Sequence, residues 1–152
     1  MIFNWILLNK FAIGTPVNCE EDLLILKKNR ITSVLDLRNT FDFNKYSKQS
    51  FLVEKKFDYH NIHLPDHNSK RIANAKEIGQ SVKVLSKLLI NGPVFMHCYA
   101  AVERCPLISI AYIHKYMGLS INESYDYVKQ QNENTNVSLK QLKVLRELNI
   151  KK

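Results

Sequence analysis

At 152 residues the chain is long enough for one self-supporting core. Its 45% hydrophobic and 24% charged residues exclude collagen-like, disordered and disulfide-scaffold readings. Lys and Arg number 22 against 14 Asp and Glu, a formal net charge of +8, which favours anionic partners without choosing among phosphorylated molecules, nucleic acid and acidic membrane surfaces. The three cysteines, Cys19, Cys98 and Cys105, make a poor disulfide framework and fit a reducing cytosol. Residues 1–8 lack the basic start of a signal peptide, and no apolar run approaches the ~20 residues of a spanning helix. The expectation is a single cytoplasmic domain over 1–152.

Residues 3–8 and 11–14 read as two short strands around an Asn9-Lys10 turn. Asn18 followed by Glu21 has capping-box spacing ahead of Leu23-Leu24-Ile25-Leu26, which predicts a helix ending near Asn29. Residues 31–37 are apolar and β-branched, the pattern of a buried strand, and Asp36-Leu37-Arg38 closes it. The polar stretch 39–56 reads as loop plus a short helix, and 57–64 as a further strand. Over 69–90, Ile72, Ala75, Ile78, Val82, Leu85 and Leu89 recur every three or four residues, which predicts a long amphipathic helix with Lys76, Lys83 and Lys87 on its wet side. Asn91-Gly92-Pro93 stops it, and Val94-Phe95-Met96-His97 reads as a buried strand. Pro106 suits the first turn of the next helix, whose Leu107, Ile108, Ile110, Ala111 and Ile113 make it central. Ser120 with Glu123, and Ser138 with Gln141, announce two more helices, the first carrying Ile121, Tyr125 and Val128 and the second Leu139, Leu142, Leu145 and Leu148. Strands mixed with helices, then a helical final third, predict an α/β domain with its sheet covered on both faces.

Chemistry concentrates in one segment. Cys98 stands at the carboxyl end of a buried strand, and Arg104 follows at the mouth of a buried helix. Ligands of open α/β sheets bind beyond the carboxyl ends of strands. Successive N–H groups ahead of a helix form an anion-binding concavity, and an arginine there offers a fork for two phosphate oxygens. The same positive environment lowers a thiol from about 8.5 toward the ~3.5–7.5 of reactive cysteines. A thiolate below a bound phosphate is a nucleophile aimed at phosphorus. Upstream, Leu64-Pro65-Asp66 leaves a strand with a carboxyl able to protonate a departing oxygen.

Taken together, His97-Cys98-Tyr99-Ala100-Ala101-Val102-Glu103-Arg104, Leu64-Pro65-Asp66 and Val34-Leu35-Asp36-Leu37-Arg38 resemble a small dual-specificity phosphatase of the cysteine-dependent protein-tyrosine phosphatase superfamily. That resemblance implies an α/β fold with a central mixed, mostly parallel sheet of about five strands flanked by helices. It implies that Cys98 attacks phosphorus, and that Arg104 with the N–H groups of Tyr99, Ala100, Ala101, Val102 and Glu103 holds the phosphate. Asp66 is the implied acid and then base, His97 supports the loop, and no metal or other cofactor is required. The implied substrates are phosphotyrosine and phosphoserine or phosphothreonine in proteins, or small phosphate esters. A monomer without nucleic-acid or membrane partners is expected. A pseudophosphatase that binds phosphate but turns over poorly, and a sulfur- or arsenate-handling enzyme, stay open as alternatives.

Two residues depart from the family pattern. Ala101 stands where glycine is usual, and Cys105 where Ser or Thr usually supports the thiolate. If Ala101 needs a positive φ, its Cβ costs on the order of 1 kcal/mol. A thiol at Cys105 is a weaker donor than a hydroxyl and predicts a slower second step. Asp36 and Arg38 read as a structural pair, and Cys19 as a buried residue beside the first cap. The pairs Lys27-Lys28, Lys55-Lys56 and Lys151-Lys152 read as solvated surface. Glu103 disfavours very polyanionic substrates, and Tyr99 fits either a pocket rim or a packing role.

Overall fold

The computed structural model describes residues 1–40, 42, 53–66 and 69–149, so most of the stretch read as loop and short helix over 39–56 lies outside the described residues, as do Lys151-Lys152. Strands β1 (Phe3–Leu7) and β2 (Phe11–Gly14) form the expected hairpin, with Asn9 at φ 60 in its turn, a conformation asparagine tolerates. With β3 (Ser33–Asp36), β4 (Asp58–Asn61) and β5 (Val94–His97) they make a five-stranded sheet in the order β1-β2-β5-β3-β4. β1 runs antiparallel to β2, and the other pairings are parallel, as the resemblance implies.

Side-chain alternation along β5 sets the layers. Val94 and Met96 join Phe11, Ile13 and Leu35 on one face, and Phe95 joins Ala12 and Val34 on the other. Four helices pack on the first face: α2 (Ala75–Leu89), α3 (Arg104–Met117), α4 (Ile121–Gln131) and α5 (Leu139–Asn149). Helix α1 (Glu20–Lys28) covers the second through Leu23 and Leu26. Among the described residues no helix is long and apolar enough to cross a membrane. The parallel register brings Gly14, His97 and Asp36 level at the carboxyl ends of β2, β5 and β3. Gly14 is required there, because a Cβ would stand 1.9 Å from the Ile2 carbonyl oxygen.

Two helix starts differ from the sequence reading, and a third keeps its expected start but only half of its capping box. Helix α1 is capped at Cys19 rather than Asn18 and without a side-chain cap bond, while the Asp22 carboxylate in its first turn accepts the Asn18 N–H at 2.9 Å. Cys19 is exposed, not buried. Helix α2 begins at Ala75 rather than near Ser69, since Asn74 and Glu77 form the reciprocal capping box (2.9 and 3.0 Å). Ile72 is left 39% exposed ahead of it. At α5, Ser138 accepts the Gln141 N–H at 3.2 Å, but the Gln141 amide clasps the Ala73 backbone instead, accepting from its N–H at 3.0 Å and donating to its carbonyl at 2.8 Å. Leu139, the first residue of that helix, is 82% exposed. The Ser120–Glu123 box opens α4 as expected.

Candidate active site

Strand β5 ends at His97, the chain turns through 98–103, and α3 starts at Arg104. Cys98 and Arg104 are both buried. A hydrogen bond from the Cys105 thiol, the Arg104 charge and the N–H groups of Cys105 and Ala101 together overcome burial and bring the Cys98 thiol down from 9.0 to about 6. Cys105 moves the opposite way: burial, and then its hydrogen bond to Cys98 and that sulfur's charge, hold it well above the usual range. Thiolate and thiol are thus divided between the two cysteines, with Cys105 the donor.

Arg104 is held from below. Its Nη1 donates to Asp42 Oδ2 at 2.7 Å, its Nη2 to Asp42 Oδ1 at 3.2 Å, and Nη1 also reaches the Leu37 carbonyl at 3.4 Å. Asp42 is buried and was not singled out by sequence reasoning. Its spacing from Asn39 was the available signal, since the Asn39 N–H donates to Asp42 Oδ2 (2.9 Å) and the Asp42 N–H to Asn39 Oδ1 (3.2 Å), the reciprocal pattern of a capping box.

Asp66 lies on the same side, its Oδ2 at 3.9 Å from Arg104 Nη2. Ser69 fixes the turn around it by donating its hydroxyl to Asp66 Oδ1 (3.2 Å) while accepting the Asp66 N–H (3.1 Å). Just before it, buried Leu64 accepts from the Asn39 side chain at 2.9 Å, which roots the segment at the end of β3. A cleft of about 540 Å³ adjoins the loop at Asp66 and Glu103, with Lys70, Arg71 and Lys140 around it. Arg71 is paired with Glu77 at 2.7 Å.

His97 and its neighbours form the floor. Burial lowers the His97 pKa, favouring the neutral ring, and its Nδ1 lies 3.2 Å from the Cys98 carbonyl and 3.8 Å from Asp36 Oδ1. Asp36 and Arg38 pair as the sequence suggests: Arg38 grips the carboxylate with Nε (3.0 Å), Nη2 (2.8 Å) and its own N–H (3.0 Å), and Tyr59 adds its hydroxyl at 2.5 Å. Burial opposes ionisation of Asp36, but the charge of His97 when protonated and these Arg38 and Tyr59 bonds hold its carboxyl below the usual range. Among the described residues no group of three His, Cys, Asp or Glu side chains is placed to hold a metal ion.

Ala101 has φ 58, so the position that departs from the glycine usual in the family does adopt a left-handed backbone. Tyr99 is 40% exposed at the rim, Ala100 is exposed, and Val102 and Glu103 are half-buried. The loop is braced from outside by a segment that sequence reasoning missed. Asn132 Nδ2 donates to the Ala101 carbonyl at 2.8 Å, and the Asn136 N–H to the Val102 carbonyl at 2.8 Å. No local pattern could have revealed this, because the contact exists only once α3 and α4 have folded back on the sheet.

A buried thiol of lowered pKa, a guanidinium beside it and the N–H groups of Ala101 and Cys105 at the mouth of a helix form the kind of arrangement that can hold an oxyanion against a sulfur nucleophile. The fold and this arrangement define an α/β protein with a buried cysteine at the carboxyl end of its central strand and an arginine at the mouth of the following helix. The chain belongs to the family described as dual specificity phosphatase, catalytic domain, whose model matches residues 17–151. Among curated proteins it is 31% identical over 119 residues to human dual specificity protein phosphatase 16, covering 76% of this chain and 16% of that one. To human dual specificity protein phosphatase 9 it is 31% identical over 84 residues, 53% of this chain and 21% of the other. The chain therefore matches about a fifth or less of either relative's length. Among solved structures, the human tyrosine phosphatase-like serine/threonine/tyrosine-interacting protein superposes with a TM-score of 0.82 at 21% identity, covering 97% of this chain and 95% of the other. Tk-PTP in the active form gives 0.81 at 15% identity, covering 99% and 97%. These two structural likenesses establish the fold.

Proposed function

We propose that this chain is a cysteine-dependent phosphatase that hydrolyses phosphate monoesters through a cysteinyl-phosphate intermediate. The observation that carries this reading is the Cys98 thiol held near 6 beside Arg104, with Asp66 on the same side. Cys98 attacks phosphorus, a P–S bond forms and the ester P–O bond breaks. Arg104 and the loop N–H groups of Tyr99, Ala100, Ala101, Val102 and Glu103 hold the non-bridging oxygens, over which the transition-state charge is spread. Asp66 gives its proton to the departing oxygen. In the second half, the Asp66 carboxylate takes a proton from water, the water oxygen attacks phosphorus, and the P–S bond breaks to release inorganic phosphate. The leaving thiolate is received by the Cys105 thiol, in the role a hydroxyl has in the family. Neither a metal nor a cofactor enters the cycle.

Phosphotyrosine, with phosphoserine and phosphothreonine, in cytoplasmic proteins is the proposed substrate class. The names of the matched relatives support it, as does the exposed, open rim at Tyr99 and Ala100. The test is hydrolysis of an aryl phosphate by the wild type, Cys98→Ser and Asp66→Asn. Turnover by the wild type, abolished in Cys98→Ser and reduced in Asp66→Asn, is expected. Activity surviving Cys98→Ser would remove the mechanism, and a silent wild type that still binds phosphopeptides would leave a binding module.

A further inference from the structure

We propose that Asn132 is a positioning residue for the phosphate loop, its amide clamping Ala101 in the left-handed conformation that the loop requires; the proposal rests on the loop being the phosphate site. Ala101 is fully buried at φ 58, a conformation that disfavours any residue with a Cβ. Something outside the residue must therefore hold it. Asn132 is buried and uses its whole amide for the purpose. One Nδ2 hydrogen goes to the Ala101 carbonyl (2.8 Å) and the other to Thr135 Oγ1 (3.0 Å), while Oδ1 accepts from Asn4 Nδ2 of β1 (2.8 Å). The side chain is thus fixed at both ends before it reaches the loop.

Peptide planarity turns this grip into an alignment of donors. In a trans peptide the C=O and the following N–H point in opposite directions, and no cis bond is present among the described residues. Drawing the Ala101 carbonyl toward Asn132 therefore directs the Val102 N–H away from it. The Asn136 N–H on the Val102 carbonyl (2.8 Å) does the same for the Glu103 N–H. On its other side Ala101 presents its own N–H to the Cys98 sulfur. One clamped residue consequently sets the relation between a donor to the nucleophile and a donor to the anion. Asn4, in a strand remote from the loop in sequence, completes the brace.

The test is a double-mutant cycle in the full chain: wild type, Asn132→Ala, Ala101→Gly and the double variant. The readouts are kcat and KM for p-nitrophenyl phosphate and the Kd for inorganic phosphate. Removing the clamp should weaken phosphate binding and raise KM about tenfold (about 1.4 kcal/mol) while Ala101 is present. In the Ala101→Gly background, where left-handed backbone is unstrained, the same removal should cost less than twofold. Equal losses in both backgrounds would overturn the proposal, since a merely structural asparagine makes the two changes additive. Should Asn132→Ala fail to fold, Asn4→Ala removes the outer bond of the brace, and its smaller loss must likewise vanish with Ala101→Gly. A wild type inactive on the ester but binding phosphate would count against the proposed function, while the binding cycle would still decide on the clamp.

Discussion

Replacing Cys105 by Ala deletes the strongest single support of the Cys98 thiolate while leaving Arg104 in place. The descent of Cys98 from 9.0 to about 6 corresponds to about 4 kcal/mol of preference for the ionised sulfur, at 1.36 kcal/mol per pKa unit. Hydrogen bonds to charged groups contribute ~1.5–3 kcal/mol, and a thiol donor belongs at the weak end of that range. Cys105→Ala should therefore raise the Cys98 pKa by about one unit, to about 7. Because the folded-state value is depressed, the thiolate is populated above it and lost as pH falls through it. Alkylation by iodoacetamide and kcat/KM should thus both rise through about 6 in the wild type and about one unit higher in the variant. Exposed Cys19 would also be alkylated, so the measurement belongs in a Cys19→Ser background. Cys105→Ser, which keeps a donor, should retain the wild-type limb. An acidic limb that stays put in Cys105→Ala would refute the assignment of Cys105 as the thiolate's donor.

Asp66→Asn should lower kcat by about 10²–10⁴-fold for alkyl phosphates and much less for nitrophenyl phosphate, whose leaving group needs little protonation; equal losses on both esters would argue against an acid role. Asp42→Asn takes from buried Arg104 its close, two-point carboxylate, leaving only Asp66 at 3.9 Å, and should cost up to about 3–5 kcal/mol of stability. Saturating inorganic phosphate should then raise its Tm by more than it raises that of the wild type, and equal increments would count against the pairing. Gly14→Ala forces a methyl against the Ile2 carbonyl and should destabilise by ~1–3 kcal/mol, a Tm drop of roughly 2–12 °C; an unchanged melting curve would contradict the close approach.

Elements whose identity depends on local pattern were legible in the sequence: the hairpin at Asn9, the buried strand ending in His97, and the apolar helix behind Cys105. The path from Cys98 to Arg104 could be read because a strand, a turn and a helix mouth are consecutive in the chain. What escaped depends on competition or on distance. Helix α1 is capped one residue later, at Cys19, and the Gln141 side chain spends its amide on the distant Ala73 backbone rather than on its own helix start. Asp42 reaches Arg104 across 62 residues and Asn132 reaches Ala101 across 31, separations at which spacing carries no information. Ala101 stands out in the sequence by its departure from a glycine pattern, but what restrains it lies 31 residues away and comes into reach only on folding.

The hold of Gln141 on Ala73 also bears on the segment carrying the Asp66 carboxyl. At its near end that segment is moored to β3 through Asn39 and Leu64, and at its far end to the last helix. Anchors on either side of Asp66 limit how far its carboxyl, the proposed proton donor, can depart from Arg104. Displacing the C-terminal helix would remove one of those anchors while leaving the loop around Cys98 and its hydrogen bond to Cys105 in place.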